Sequence, residues 1–95
     1  MNHKEAHITQ LRRDYLSRVE FIRSNVSNMN RVASYLDRKI PVDQVRCFDI
    51  TDRDGAVTQV NNWNNLVDSM LETEKELSEL GRPLPLSVKT WRIML

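Results

Sequence analysis

Apolar residues between positions 8 and 40 recur at steps of three and four with almost no interruption. A helix turns about 100° per residue, so this spacing places the side chains on one stripe. The pattern predicts a first helix over residues 4–39, about 50 Å long. The stripe comprises Ile8, Leu11, Tyr15, Val19, Ile22, Val26, Met29, Ala33, Leu36 and Ile40.

Two features bear on the continuity and the end of this helix. Residues 24–30 are rich in serine and asparagine, whose short side chains compete for backbone hydrogen bonds and weaken helices. The apolar register nevertheless continues unchanged through them, which favours one unbroken helix. Pro41 lacks a backbone donor and restricts the residue before it, so we expect it to stop the helix.

The segment over residues 40–60 has two interpretations. Short β-branched runs at 45–50 and 56–60 flank a turn that contains Asp54 and Gly55, a combination typical of a β-hairpin. The faces of these runs do not alternate cleanly. A short helix over residues 41–48 is the alternative, because proline suits the first turn of a helix. We expect the hairpin.

A second helix is predicted over residues 62–80. Asn61 or Asn62 suits its N-cap, Gly81 suits a left-handed C-terminal cap, and Pro83 prevents continuation. At about 28 Å, this helix would cover only half of the first. Its apolar stripe comprises Trp63, Leu66, Val67, Met70, Leu77 and Leu80.

The tail over residues 81–95 is unusually apolar for a chain end. Chain ends fray unless they are tied down, so we expect this one to be docked. Ser87 could cap a short helix with Val88, Trp91 and Leu95 on one face, and a strand is nearly as plausible. The expected fold is mainly α, a single domain with an antiparallel helical hairpin, a small β-hairpin-like excursion and a docked tail.

Composition supports a folded domain, with 40% apolar and 28% charged residues in a chain of 95. The net charge of +1 conceals an asymmetry: residues 1–46 carry +4, residues 47–80 carry −6 and residues 81–95 carry +3. Blocks of opposite charge attract each other, so we expect the basic and acidic blocks to pack together. The alternative is that the basic block binds nucleic acid. Neither a signal peptide nor a membrane span is recognisable, so we expect a cytoplasmic protein without a membrane partner.

Candidate chemistry is sparse. Cys47 has no partner for a disulfide and no neighbouring base, which indicates a buried, inert thiol. His3 and His7 share a helix face but lack a third metal ligand, and the acidic turn before Gly55 lacks the ligands of a calcium loop. We therefore expect no catalytic residue, cofactor, metal or small-molecule substrate. The carboxylates of the second helix, Asp68, Glu72, Glu74, Glu76 and Glu79, indicate a solvated face.

The first stripe exceeds what the second helix covers, which predicts an external partner or a homodimer. The expected function is a small protein-binding module, an adaptor or inhibitor of a larger protein. Its size and lack of catalytic patterns are similar to those of phage and plasmid accessory proteins, although no family motif carries that resemblance. The expected partner-binding residues are Phe21, Met29, Tyr35, Leu36, Trp63 and Trp91.

A nucleic-acid-binding regulator is the alternative function. The predicted first helix carries most of the chain's cations, although these are spread around the helix rather than concentrated on one side. The residues concerned are Arg12, Arg13, Arg18, Arg23, Arg31, Arg38 and Lys39.

Overall fold

The computed structural model describes residues 2–94, and the backbone alone for residues 46–48. Two α-helices dominate it: α1 spans His3–Leu36 and α2 spans Arg53–Glu79. A connecting 3₁₀ helix, Val42–Phe48, lies between them, and a second one, Lys89–Trp91, lies in the tail. No β-strand occurs within residues 2–94.

Helix α1 is continuous through residues 24–30, as the unbroken register predicts. At its start, the Asn2 side chain accepts a hydrogen bond from the Glu5 N–H at 2.8 Å. Ser24 and Asn25 donate their side-chain hydrogen bonds to carbonyls one turn earlier, at 3.0 and 2.8 Å. Their polar groups are therefore satisfied within the helix rather than interrupting it.

Helix α1 ends at Leu36, three residues before the predicted end at Lys39. Arg38 adopts a left-handed conformation with φ of 62°. The Arg38 and Lys39 N–H groups donate to the carbonyls of Tyr35 and Ser34 at 3.0 and 2.9 Å. This pair of bonds is a Schellman motif, which closes the helix before Pro41 is reached.

The predicted β-hairpin is wrong, because its second half belongs to α2. Asp52 is the N-cap, and its Oδ1 accepts a hydrogen bond from the Gly55 N–H at 2.8 Å. The Asp-Gly signal that predicts a hairpin turn is therefore part of a helix start. Val60 lies three residues before Trp63, and Ala56 lies four residues before Val60, so both continue the apolar stripe of α2 towards its start. Both residues are fully buried. The first half forms the short helical segment that was the alternative.

The two helices pack antiparallel. At one end, His7 Nε2 lies 2.9 Å from Glu76 Oε1. At the other end, the Arg53 guanidinium donates to the Leu36 carbonyl at 3.0 Å. These two contacts place the start of α1 beside the end of α2, and the end of α1 beside the start of α2. The molecule is accordingly a rod of about 52 × 20 × 19 Å.

The apolar core is a seam of heptad-spaced residues. With 27 residues, α2 is about 40 Å long rather than the predicted 28 Å. The expectation that half of the α1 stripe stays uncovered is therefore wrong. The seam comprises Ile8, Tyr15, Ile22, Met29 and Leu36 on α1, and Ala56, Val60, Trp63, Val67, Met70 and Leu77 on α2.

The tail folds back along α2. Gly81 has the left-handed φ of 78° that its predicted cap role requires, and the Arg82 N–H donates to the Leu77 carbonyl at 2.9 Å. Further along, the Asn64 side chain donates to the Ile93 carbonyl and accepts from its N–H, both at 2.8 Å. The tail is thus neither an α-helix nor a strand but an extended segment with one 3₁₀ turn. Leu95, expected on a helical face, lies outside the described residues.

The Asp52→Ala variant tests where α2 begins. Loss of the N-cap should lower the free energy of unfolding by about 1 kcal/mol in urea denaturation, because one helical N–H loses its acceptor. Asp54→Ala is the matched control, since it removes a neighbouring carboxylate that makes no capping bond. Equal effects of the two substitutions would contradict a helix start at Asp52.

Candidate functional site

Glu74 holds both helices and the tail together. It occupies the seam position of α2 between Met70 and Leu77, where the heptad spacing calls for an apolar residue. Its Oε2 accepts hydrogen bonds from the Tyr15 hydroxyl at 2.7 Å and from the Val88 N–H at 3.0 Å. One half-buried carboxylate oxygen therefore fixes the register of α1, α2 and the tail.

The environment of Tyr15 changes its acidity. Its side chain is only 3% exposed, and burial raises the pKa of its hydroxyl far above the ordinary value of 10.0. The hydrogen bond to Glu74 and the charge of that carboxylate raise the pKa further. Tyr15 thus remains a neutral donor throughout the physiological range.

An apolar groove of about 700 Å³, here called the tail groove, opens above this contact between α1 and the tail. Leu16 on α1 and Leu86 in the tail both line it and are 57% and 65% exposed, although both are large apolar residues. Glu20 and Arg23 add one charge of each sign to its α1 wall. The remaining lining residues are Tyr15, Val19, Ser24, Leu84, Pro85, Ser87, Val88 and Trp91.

Three of the predicted partner-binding residues lie in the core instead. Met29, Leu36 and Trp63 are 1%, 7% and 4% exposed. Trp63 also donates its ring N–H to the Trp91 carbonyl at 2.7 Å, so its polar edge is satisfied internally. In this conformation these side chains have no surface to offer a partner.

The other three predicted residues do not form one surface. Phe21 is 54% exposed, but it precedes the seam residue Ile22, whereas Leu16 follows the seam residue Tyr15. One residue is about 100° of helix, so Phe21 and the tail groove lie on opposite sides of the seam. Tyr35 is half-buried at the far end of α1. Trp91 is the only one of the six that lines the tail groove.

The residues that form the site carry little or no signal in the sequence pattern. Glu74 was assigned to a solvated face, yet it stands in the gap between Met70 and Leu77, and that gap is the signal that marks it. Leu16 lies off the α1 stripe, so nothing in the periodicity marks it. Leu86 belongs to the apolar tail, but the groove that it lines depends on how the tail docks.

All seven cations proposed for nucleic-acid binding are exposed. Outside residues 46–48, the ion pairs among residues 2–94 join Arg82 to Glu5 and Arg92 to Asp68, and the His7 ring lies within hydrogen-bond distance of Glu76. None of these contacts involves those seven cations. The oppositely charged blocks therefore meet through few exposed pairs, which contribute about 0–1 kcal/mol each. Arg38 and Lys39 lie beyond α1, in the turn that leads to the connecting 3₁₀ helix.

Groups that an enzyme could have used are dispersed. His3 and His7 lie at the start of α1, whereas Asp49 precedes α2 at the opposite end of the hairpin. The side chain of Cys47, predicted to be a buried thiol, lies outside the described residues. Among the side chains that the structure describes, which exclude those of residues 46–48, no three metal-ligating groups form a cluster. No helix within residues 2–94 is both long and apolar enough to cross a bilayer.

No protein-family model matches the chain, and comparisons with curated proteins and with solved structures found no match. The contacts of Glu74 and the lining of the tail groove are therefore the observations that bear on function.

Glu74→Ala removes the shared acceptor. The Tyr15 hydroxyl and the Val88 N–H would each lose a half-buried partner, so we expect a loss of about 1–3 kcal/mol in the free energy of unfolding. Amide hydrogen exchange at Val88 should accelerate at the same time. Glu72→Ala, an exposed position on the same helix, is the control, and an equal loss there would contradict the role of Glu74.

Alkaline pH should destabilise the protein through Tyr15. Its pKa is raised on folding, so the unfolded chain loses this proton first, and the stabilisation present below pH 10 is lost as the pH rises further. The slope attributable to one such group is at most about 1.4 kcal/mol per pH unit. Urea denaturation between pH 9 and 11 should show a steeper decline for the natural protein than for Tyr15→Phe. Parallel profiles would contradict the assignment.

Proposed function

We propose that this protein is a small non-enzymatic binding module, an adaptor or inhibitor, whose tail groove receives an amphipathic helix of a larger protein. The observation that supports this most is the exposure of Leu16 and Leu86, from α1 and from the tail, in the lining of one apolar groove. An exposed apolar concavity with a polar rim is typical of helix-in-groove recognition. In this arrangement the groove belongs to this protein, and the inserted helix belongs to its partner.

The size of the tail groove favours an inserted segment. Its volume of about 700 Å³ lies within the range of about 300–1,000 Å³ typical of sites that bury a small ligand or anchoring side chains. Glu20 and Arg23 place both charge signs beside it, which suits a helix whose polar face carries mixed charges. A segment of about two turns would match the stretch of α1 between Leu16 and Arg23.

A second copy of the chain is a weaker candidate for the occupant. A stable interface buries about 800 Å² per partner. Outside the tail groove, the large exposed apolar residues among the described side chains are Phe21 on α1, Val57 on α2 and Met94 in the tail. These three lie on different elements and do not extend the groove into one broad apolar face, so a homodimer has no obvious surface on which to form.

Leu16→Glu tests the proposal, with Phe21→Glu as the matched control. Both positions are exposed on α1 to similar extents, but only Leu16 lines the tail groove. Helical peptides selected by display against the natural protein should bind Leu16→Glu at least about tenfold more weakly in fluorescence anisotropy, because a charge enters an apolar site. Phe21→Glu should retain full affinity.

Three outcomes would contradict the proposal. The first is that no peptide discriminates the natural protein from Leu16→Glu. The second is an equal loss with Phe21→Glu, which would move the binding surface to the other side of α1. The third is sedimentation showing a dimer that Leu16→Glu dissociates, because a second copy would then occupy the tail groove.

A further inference from the structure

A second concavity, of about 430 Å³, lies where the end of α1 meets the start of α2. We call it the basic concavity, because three cations and no carboxylate line it among the side chains that the structure describes. Its lining residues are Tyr35, Arg38, Lys39, Ile40, Pro41 and Arg53. It is distant from the tail groove, with which it shares no lining residue.

The fold fixes the guanidinium of Arg53 and the backbone of Arg38. Arg53 donates one guanidinium N–H to the Leu36 carbonyl at 3.0 Å, which leaves its other donors available to a ligand. The Schellman motif holds the backbone of Arg38 in a left-handed conformation that is unfavourable for a non-glycine residue. Nothing in the helix end itself requires arginine there, since glycine is the residue that suits this position best.

The positive charge of the basic concavity is not neutralised by ion pairs. Within residues 2–94, no ion pair involves Arg38, Lys39 or Arg53. The nearest carboxylates in sequence, Asp37, Asp52 and Asp54, do not line the concavity, and Asp52 accepts the capping bond of α2. The end of α1 contributes roughly half a negative charge, which is less than the three positive ones.

We propose that the basic concavity binds a phosphate group, in its dianionic form, carried by a small ligand. Three cations in the lining of one concavity suit a compact dianion, and the planar Arg53 guanidinium matches two of its oxygens. Tyr35, Ile40 and Pro41 supply an apolar wall for the group that bears the phosphate. An extended polyanion fits less well, because the remaining cations of α1 are distributed around the helix rather than along one track from this site.

The test is a titration of the ¹⁵N-labelled protein with orthophosphate and with pyrophosphate, followed by NMR at constant ionic strength set with chloride. We expect saturable shifts confined to the backbone of residues 35–41 and 53 and to the Arg53 side chain. Pyrophosphate should bind more tightly than orthophosphate because its charge is greater. Constant ionic strength removes the general screening effect of added salt.

Arg38→Gly is the decisive variant, because it removes a cation while relieving a left-handed backbone. It should unfold at a urea concentration at least as high as the natural protein, so weaker binding could not be attributed to misfolding. Affinity for pyrophosphate should fall at least about fivefold, and Lys39→Gln should act in the same direction. Arg13→Gln, an exposed cation in the middle of α1, is the control and should change nothing.

Three results would overturn the proposal. One is a linear, non-saturating response to both anions. Another is an equal loss of affinity in Arg13→Gln, which would show general attraction to a positive surface. The third is a single-stranded oligonucleotide that shifts residues all along α1 and binds more weakly in Arg13→Gln and Arg38→Gly alike, because the ligand would then be nucleic acid.

Discussion

The hydrogen bonds of one carboxylate hold the three parts of this molecule in register. Glu74 interrupts an otherwise apolar seam, and its Oε2 accepts from Tyr15 on α1 and from the backbone of Val88 in the tail. A half-buried carboxylate is tolerated only where hydrogen bonds replace its hydration. The antiparallel register and the docking of the tail are therefore linked: a slip of either helix by one turn would leave Glu74 or Tyr15 without its partner.

The docked tail creates the tail groove. Because the Val88 N–H donates a hydrogen bond to Glu74 on α2, the extended residues before Val88 pass beside α1 instead of covering it fully. Leu16 and Leu86 consequently line an open groove and stay largely exposed. The same tail is fixed further along by Trp63 and Asn64, so the groove has two well-supported walls. Rigid walls favour binding, since little ordering is needed when a partner enters.

The two concavities have different chemical character. The tail groove lies along the middle of α1 and is apolar, whereas the basic concavity lies at the end of α1 and is cationic. Arg53 lines the basic concavity and also joins the start of α2 to the end of α1 through its hydrogen bond to the Leu36 carbonyl. The segment between the helices therefore stabilises the hairpin and carries positive charge. An adaptor with two separate contact sites is consistent with this division, because occupation of one would leave the other accessible.

Local pattern in the sequence determined the two-helix plan. The unbroken register carried α1 through its serine- and asparagine-rich stretch, and Gly81 marked the end of α2, because periodicity and left-handed caps are properties of neighbouring residues. The start of α2 was missed, since Asp54-Gly55 suits a hairpin turn as well as the first turn of a helix capped by Asp52. Only tertiary packing decided that Met29, Leu36 and Trp63 are covered within the chain, that Tyr15 and Val88 share Glu74, and that Leu16 and Leu86 line one groove. Each of these depends on contacts between residues far apart in the chain, and local spacing can mark a position without identifying its partner.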